Sequence, residues 1–195
     1  QETARPMTGS ESDAAASIAD AREAFRELHG PRLHGFALLL MPDDDRRAAQ
    51  LAGDALADGM TRVRDLTHPE RAGAWLRARV VRAVRRPHRR GGTTGARFEH
   101  SSIEELGVTP PAAVALGRLG SLERAALIAL VVERFDRGDV ATIVGRNGAR
   151  LDRLVQGALQ TFAAGHAMAA PPPGLEDASG PMVEAIRQTA RRAMQ

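Results

Sequence analysis

The chain has 195 residues, a formal net charge of +3 and no cysteine, and all 27 of its basic residues are arginine. Missing cysteine excludes disulfides, thiolate zinc sites and cysteine nucleophiles, and missing lysine excludes Schiff-base chemistry and a phosphate-loop lysine. The longest apolar runs, residues 36–41 and 125–132, fall far short of the roughly 20 residues that span a bilayer, and the start does not resemble a signal peptide. The expectation is a soluble, cytoplasmic protein with no membrane partner.

Strand signals are nearly absent. There is one tryptophan, there are five phenylalanines and no tyrosine, and apolar residues recur three and four apart, which predicts an all-α chain. A polar arm, 1–14, leads into a helix ending at His29, where Gly30-Pro31 stops it and starts a second helix reaching Met41. Phe25, Leu28, Leu33, Phe36, Ala37 and Leu40 supply the buried stripe. Asp43, Asp44 and Asp45 then put capping oxygens and negative charge at the start of a helix running to about Leu66. Helix-start chemistry accounts for that acidic run better than a metal site does.

The next helix, from about Arg71 to Arg86, is stopped by Pro87. Residues 72–90 hold the lone Trp75 and seven arginines without a single acidic residue. Leu76, Val80, Ala83 and Val84 form its core-facing stripe, which makes Trp75 a core anchor before it is a base-stacking platform. The arginines are either a solvated face or the footprint of a polyanion.

A Gly- and Pro-bearing linker, 89–111, separates this first helical block, 15–88, from a second, 112–165. In the second block helices are expected near 112–118, 122–134, 137–144 and 148–163. Asp136 caps the third of these with Asp139 at the capping-box position, Gly145 breaks it, and Asn147 opens the fourth. Leu151, Leu154, Val155, Ala158 and Phe162 face inward at helical spacing, leaving Arg150, Arg153, Gln156 and Gln160 outside. Two short helices joined by a glycine turn, with arginine and glutamine exposed near the start of the second, suit a DNA-reading helix-turn-helix; an ordinary helical hairpin is the bland alternative. A Pro-rich linker, 166–179, precedes a terminal amphipathic helix, 180–195.

Taken in order, these blocks resemble an extracytoplasmic-function (ECF) sigma factor of bacterial RNA polymerase over roughly residues 20–163. Phe25-Arg26-Glu27-Leu28 with Arg32-Leu33 resembles the family's opening helices, and Ala48 to Leu56 its polymerase-binding segment. Ala74-Trp75-Leu76 is similar to its A-W-L triplet, and Asp139 to Gly145 to the E-I-A-x-x-L-G that precedes its recognition helix. The resemblance implies that the first domain grips the polymerase and opens promoter DNA at the minus-ten element, while the second reads the minus-thirty-five element. Leu51 and Asp54 would then face polymerase, Arg82, Arg85 and Arg86 the opened DNA, and Arg150, Arg153 and Gln156 the upstream element. The implied partners are the polymerase core, promoter DNA and an anti-sigma factor.

The chain departs from the family pattern where it carries Gln50 and Gly53 in the clamp-binding segment and Arg82 and Arg86 on the tryptophan helix. Two further readings therefore stand beside the first. One is a sigma mimic that occupies polymerase or an anti-sigma factor without initiating, and the other a stand-alone helix-turn-helix regulator. The six histidines show no ligand spacing, and serine elbows, zincin helices and dinucleotide fingerprints are missing, so no cofactor, no metal and no enzymatic activity are expected.

Overall fold

Pro42 and the aspartates after it end one helix and begin the next. The Asp44 carboxylate accepts the Arg47 backbone N–H at 3.0 Å and so caps α2 (Asp45–Thr61). The acidic run is helix-start chemistry, as its position suggested. The computed structural model describes residues 8–66, 68–86 and 105–169, and every regular element among them is helical.

Before α2 lies α1 (Thr8–Leu40), a single 33-residue helix with Pro31 inside it. The break expected at Gly30-Pro31 does not occur, and α1 also takes in residues read as a polar arm. A mid-helix proline removes one hydrogen bond and crowds the carbonyl four residues back, at a cost of about 3 kcal/mol. Burial on both sides of it offsets that cost: Phe25 and His29 before the proline, and Leu33, Phe36, Ala37 and Leu40 after it, are all inside. Leu28, expected on the same stripe, is instead 50% exposed.

The third helix, α3 (Pro69–Arg85), starts two residues earlier than expected because Pro69 sits at its first position, where a proline is preorganised and no hydrogen bond is lost. Glu70 in its first turn and Arg82 and Arg85 in its last complement the helix dipole. At Gly59 the three helices meet: a Cβ there would stand 2.8 Å from Phe25 Cε1 and 3.0 Å from Leu76 Cδ2.

Beyond residue 104, Pro110 plays the same role for α4 (Pro110–Gly117), so that helix consumes the end of the expected linker. In α5 (Ser121–Leu127) the carboxylate of Glu123 accepts the Gly120 N–H at 2.9 Å. One π-helical turn, Ile128–Val132, follows, its end marked by a hydrogen bond from Glu133 N–H to the Ile128 carbonyl five residues back. Arg134 then adopts a left-handed conformation, φ 59°, which turns the chain into α6 (Arg137–Val144). The Asp136 carboxylate accepts the Asp139 N–H at 2.8 Å, and Gly145, at φ 64° and ψ 39°, closes α6 in the left-handed region that glycine adopts without strain. The last described helix, α7 (Gly148–Ala169), runs six residues past its expected end, since Phe162, Gly165 and His166 continue its buried face.

The first three helices pack on one another, and α4 and α5 pack against α7, while α6 lies against α3. The buried apolar residues of both blocks form one cluster. Arg124 reinforces the junction. It donates to the Leu40 carbonyl at the end of α1 (2.8 Å) and to the Leu119 (3.0 Å) and Gly117 (3.3 Å) carbonyls at the end of α4, so one guanidinium serves the negative ends of two helices. Residues 166–169, expected to open the Pro-rich linker, are the last turn of α7, while the glycine-rich middle of the first linker, residues 170–179 and the expected terminal amphipathic helix lie outside the described residues.

Candidate nucleic-acid interface

The run of seven arginines is not one surface. Its first member, Arg77, lies on the apolar stripe of α3 between Gly73 and Val80 and Val81, and only 2% of it is exposed. Its Nε and Nη2 donate to the two carboxylate oxygens of Glu133, and its Nη1 donates to the Gly73 carbonyl at 3.1 Å. The guanidinium carbon stands 4.9 Å from the centre of the Phe135 ring and 5.6 Å from that of Phe36. Forked pairing plus two aromatic faces is a use that arginine's planar head permits and lysine's does not. Arg77 thus joins α1, α3 and the turn before α6.

Arg79 is spent differently. It pairs with Asp58 of α2 at the surface, and its guanidinium carbon lies 5.6 Å from the Trp75 ring centre, with that of Arg62 at 5.7 Å. Trp75 itself is half-buried and packs against the core, the arrangement its stripe implied.

What remains at the C-terminal end of α3 is Arg82, Arg85 and Arg86, all exposed. Arg82 Nε donates to the Ala78 carbonyl at 3.0 Å, which aligns its side chain along the helix. These three carry fixed charge into solvent at the end of a rigid helix.

On α7, Arg150, Arg153 and Gln156 are likewise exposed, three residues apart, while Leu151, Ala158 and Phe162 are buried and Leu154 and Val155 half-buried. The inward and outward faces are those the spacing predicted. Asn147 acts through its backbone, its carbonyl accepting the N–H groups of Arg150 (3.2 Å) and Leu151 (3.3 Å). Asp152, an acid on an otherwise basic flank, is paired with Arg137 at the start of α6, so its charge is matched within the chain. Arg146 in the turn donates to the Gly145 carbonyl at 2.9 Å. On α2, Asp54 is exposed, and Leu51, nearly one turn earlier, is half-buried against the core.

Sequence reading missed the buried role of Arg77 and Arg124. For Arg77 the signal was present, since it falls on the same stripe as Gly73, Val80 and Val84. Among the described residues no three histidine, aspartate or glutamate side chains are grouped to hold a metal ion, and no helix is long and apolar enough to cross a membrane.

Set beside protein-family models, curated proteins and solved structures, the chain matches none.

Proposed function

We propose that this chain is a sigma-like transcription factor that binds the RNA polymerase core and promoter DNA to direct or regulate transcription initiation. The observation that carries the reading is the exposed flank of α7. Behind a capped short helix and a left-handed glycine turn, Arg150, Arg153 and Gln156 project from the start of a helix whose opposite face is buried. Arginine and glutamine offer paired donors and acceptors to base edges in a major groove, and a recognition helix presents them from its N-terminal turns. Arg82, Arg85 and Arg86, which form no ion pair among the described residues, add sequence-independent charge for phosphates. Asp54 with Leu51 beside it offers α2 a polar and an apolar group for the polymerase.

The test uses the full chain. Co-purification with core polymerase, followed by run-off transcription on a library of promoters, is expected to give binding and a transcript from a subset of them. Binding with no transcript from any promoter rejects initiation. Specific DNA binding without any affinity for polymerase leaves the stand-alone regulator.

One observation favours the second reading, a mimic that does not initiate. DNA rises about 3.4 Å per base pair, so promoter elements centred about 25 base pairs apart are separated by roughly 85 Å, whereas a 22-residue helix such as α7 is only about 33 Å long. With α6 packed on α3 and Arg77 paired to Glu133, the two blocks share one core whose longest described helix, α1, is about 50 Å long, short of the distance between the two elements. Initiation on that template requires α3 and α6 to part. A chain that stays joined would occupy polymerase or an anti-sigma factor without opening DNA.

A further inference from the structure

A cleft of about 860 Å³ lies where α1, the start of α3 and the segment from the π-turn to α6 come together, away from the arginines assigned to DNA. Of the large apolar side chains left exposed among the described residues, Leu28 (50%), Leu106 (44%) and Val132 (40%) all line this one cleft. They come from three separate segments, so no single helix face explains them. Exposed apolar groups that converge in a concavity mark a surface meant to be covered.

The backbone around Val132 is shaped to keep it there. The π-turn shifts the register of the last turn of α5, and Arg134 holds a left-handed conformation that a side chain makes unfavourable. Together they send Glu133 and Phe135 inward to Arg77 and leave Val132 at the cleft.

The cleft also has a charged edge. Glu70, Asp136 and Asp139 line it from α3 and α6. The Asp139 carboxyl is pushed up from its ordinary range by burial first, and then by Asp136 and Glu70, with Arg71 opposing. Arg32 and Arg134 line the cleft from α1 and the turn after the π-helix, so its acidic border is confined to the side formed by α3 and the start of α6. An occupant that fits is an amphipathic helix with an apolar stripe and arginines along one border.

The chain contains such a segment. At helical spacing Met182, Val183, Ile186, Ala190 and Ala193 fall on one stripe, Arg187 and Arg191 fall along one border of it, and Gln188 falls on the far side. Residues 170–180 connect it to Ala169, the last described residue of α7. Eleven residues reach about 36 Å when extended. The ion pair between Arg137 and Asp152 fixes α7 beside the start of α6, and from Asp152 to Ala169 the helix measures about 26 Å. The connector is long enough to lead back to the cleft.

We propose that the segment 181–194 docks in the cleft of its own chain, its apolar stripe on Leu28, Leu106 and Val132 and its Arg187 and Arg191 against Glu70, Asp136 and Asp139. The docked segment bridges α1, α3 and α6, and so braces the two helical blocks against separation. The proposal stands on the cleft and the tail pattern alone, whatever the chain does with DNA.

Because the chain has no cysteine, engineered pairs report on this contact without background. In the full chain, Val132→Cys combined with Ile186→Cys is expected to form a disulfide within one chain under mild oxidation, resolved by non-reducing electrophoresis and peptide mass spectrometry. Val132→Cys with Gln188→Cys, whose second thiol faces away, is expected to form it severalfold more slowly. Adding Arg187→Glu and Arg191→Glu to the first pair is expected to slow trapping severalfold again. Equal trapping of the two pairs means an undocked tail, a disulfide between two chains means that a second copy fills the cleft, and no disulfide in either pair means that the cleft has another occupant. Any of these three overturns the proposal. Val132 is a surface residue, so its replacement tests contact rather than folding.

Discussion

Arg77 and Arg85 stand about two turns apart on the same helix, and the protein uses them in opposite ways. Arg77 is enclosed by Glu133, Phe36 and Phe135 and joins the two helical blocks, whereas Arg85 and its neighbours Arg82 and Arg86 face solvent. The difference follows from position along α3. Position 77 falls with Gly73, Val80 and Val81 on the buried side, and positions 82, 85 and 86 fall where α3 has run past the body of the protein. Composition alone sees seven equal charges; packing divides them into a structural cation and a surface field.

The sharpest way to break this contrast is to remove one partner of the buried pair. Arg77→Ala or Glu133→Ala leaves an enclosed charge unmatched and is expected to lower stability by about 3–5 kcal/mol. On this count the Arg77 variant should fall at the lower end, because the charge it leaves behind, on Glu133, is 14% exposed, against 3% for the Arg77 that the Glu133 variant strands. Replacing both together, as Arg77→Met with Glu133→Leu, should cost clearly less than either alanine variant. Denaturant unfolding of the three proteins decides it. A double variant as weak as the singles would mean that the pair does more than satisfy its own charges.

Next in size is the exposed set. Charge reversal of Arg82, Arg85 and Arg86 to glutamate should lower stability by only about 1–2 kcal/mol, the cost of placing acids at the negative end of the α3 dipole. On DNA the same variant should bind roughly a hundredfold more weakly at low salt, with a plot of log affinity against log salt shallower by about 2.7, the value for three lost phosphate contacts. An unchanged slope would remove these arginines from any nucleic-acid surface. Stability that collapses would instead erase the distinction from Arg77.

A smaller effect belongs to the turn that aims α7. Asp136→Ala removes the carboxylate that accepts the Asp139 N–H and is expected to cost about 1 kcal/mol. Asp136→Asn should recover most of it, since an amide oxygen accepts the same bond. Thermal unfolding of the pair separates capping from the long-range effect of charge on the acidic edge at Glu70 and Asp139.

How much of this was legible beforehand depends on whether a feature is local. The cap at Asp136, the bounds of α6, the glycine turn at Gly145 and the two faces of α7 rest on interactions within a few residues, and the chain displays them directly. Continuity of α1 through Pro31 is not local. Residues distant in sequence bury Phe25, His29 and Leu33, and that burial outweighs the proline. The π-turn after Leu127 and the left-handed Arg134 escape sequence reading for the same reason, since neither carries a glycine or a proline to mark it. For the candidate site, the exposure of Arg82, Arg86, Arg150, Arg153 and Gln156 could be read from helical phase, whereas Arg85 shares its phase with the buried Ala78 and Val81 and is exposed because α3 has run past the body. The joining of their two helical blocks through Glu133 could not, because it pairs residues 56 positions apart.

His29 ties this buried charge to pH. It lies inside α1, 4.6 Å from the Phe25 ring centre to centre, and its imidazole is held below its ordinary pKa of 6.5 by burial first, then by Arg77 and Arg32. As pH falls through 6.5 the unfolded chain binds a proton that the folded imidazole refuses, so stability is lost with falling pH until the depressed folded value is reached. Above 6.5 this contribution is constant. Chemical unfolding followed from about pH 7.5 to about pH 5 should therefore show a decline in the wild type that is shallower in His29→Gln, which cannot titrate in that range. Parallel curves would place the decline elsewhere. Arg77 supplies part of the unfavourable charge, so Arg77→Met with Glu133→Leu should also flatten the decline, though less than His29→Gln because burial is the larger cause. Reversing the exposed Arg85 should leave it unchanged: of two arginines on one helix, only the enclosed one is felt across the core, while water and salt screen the other.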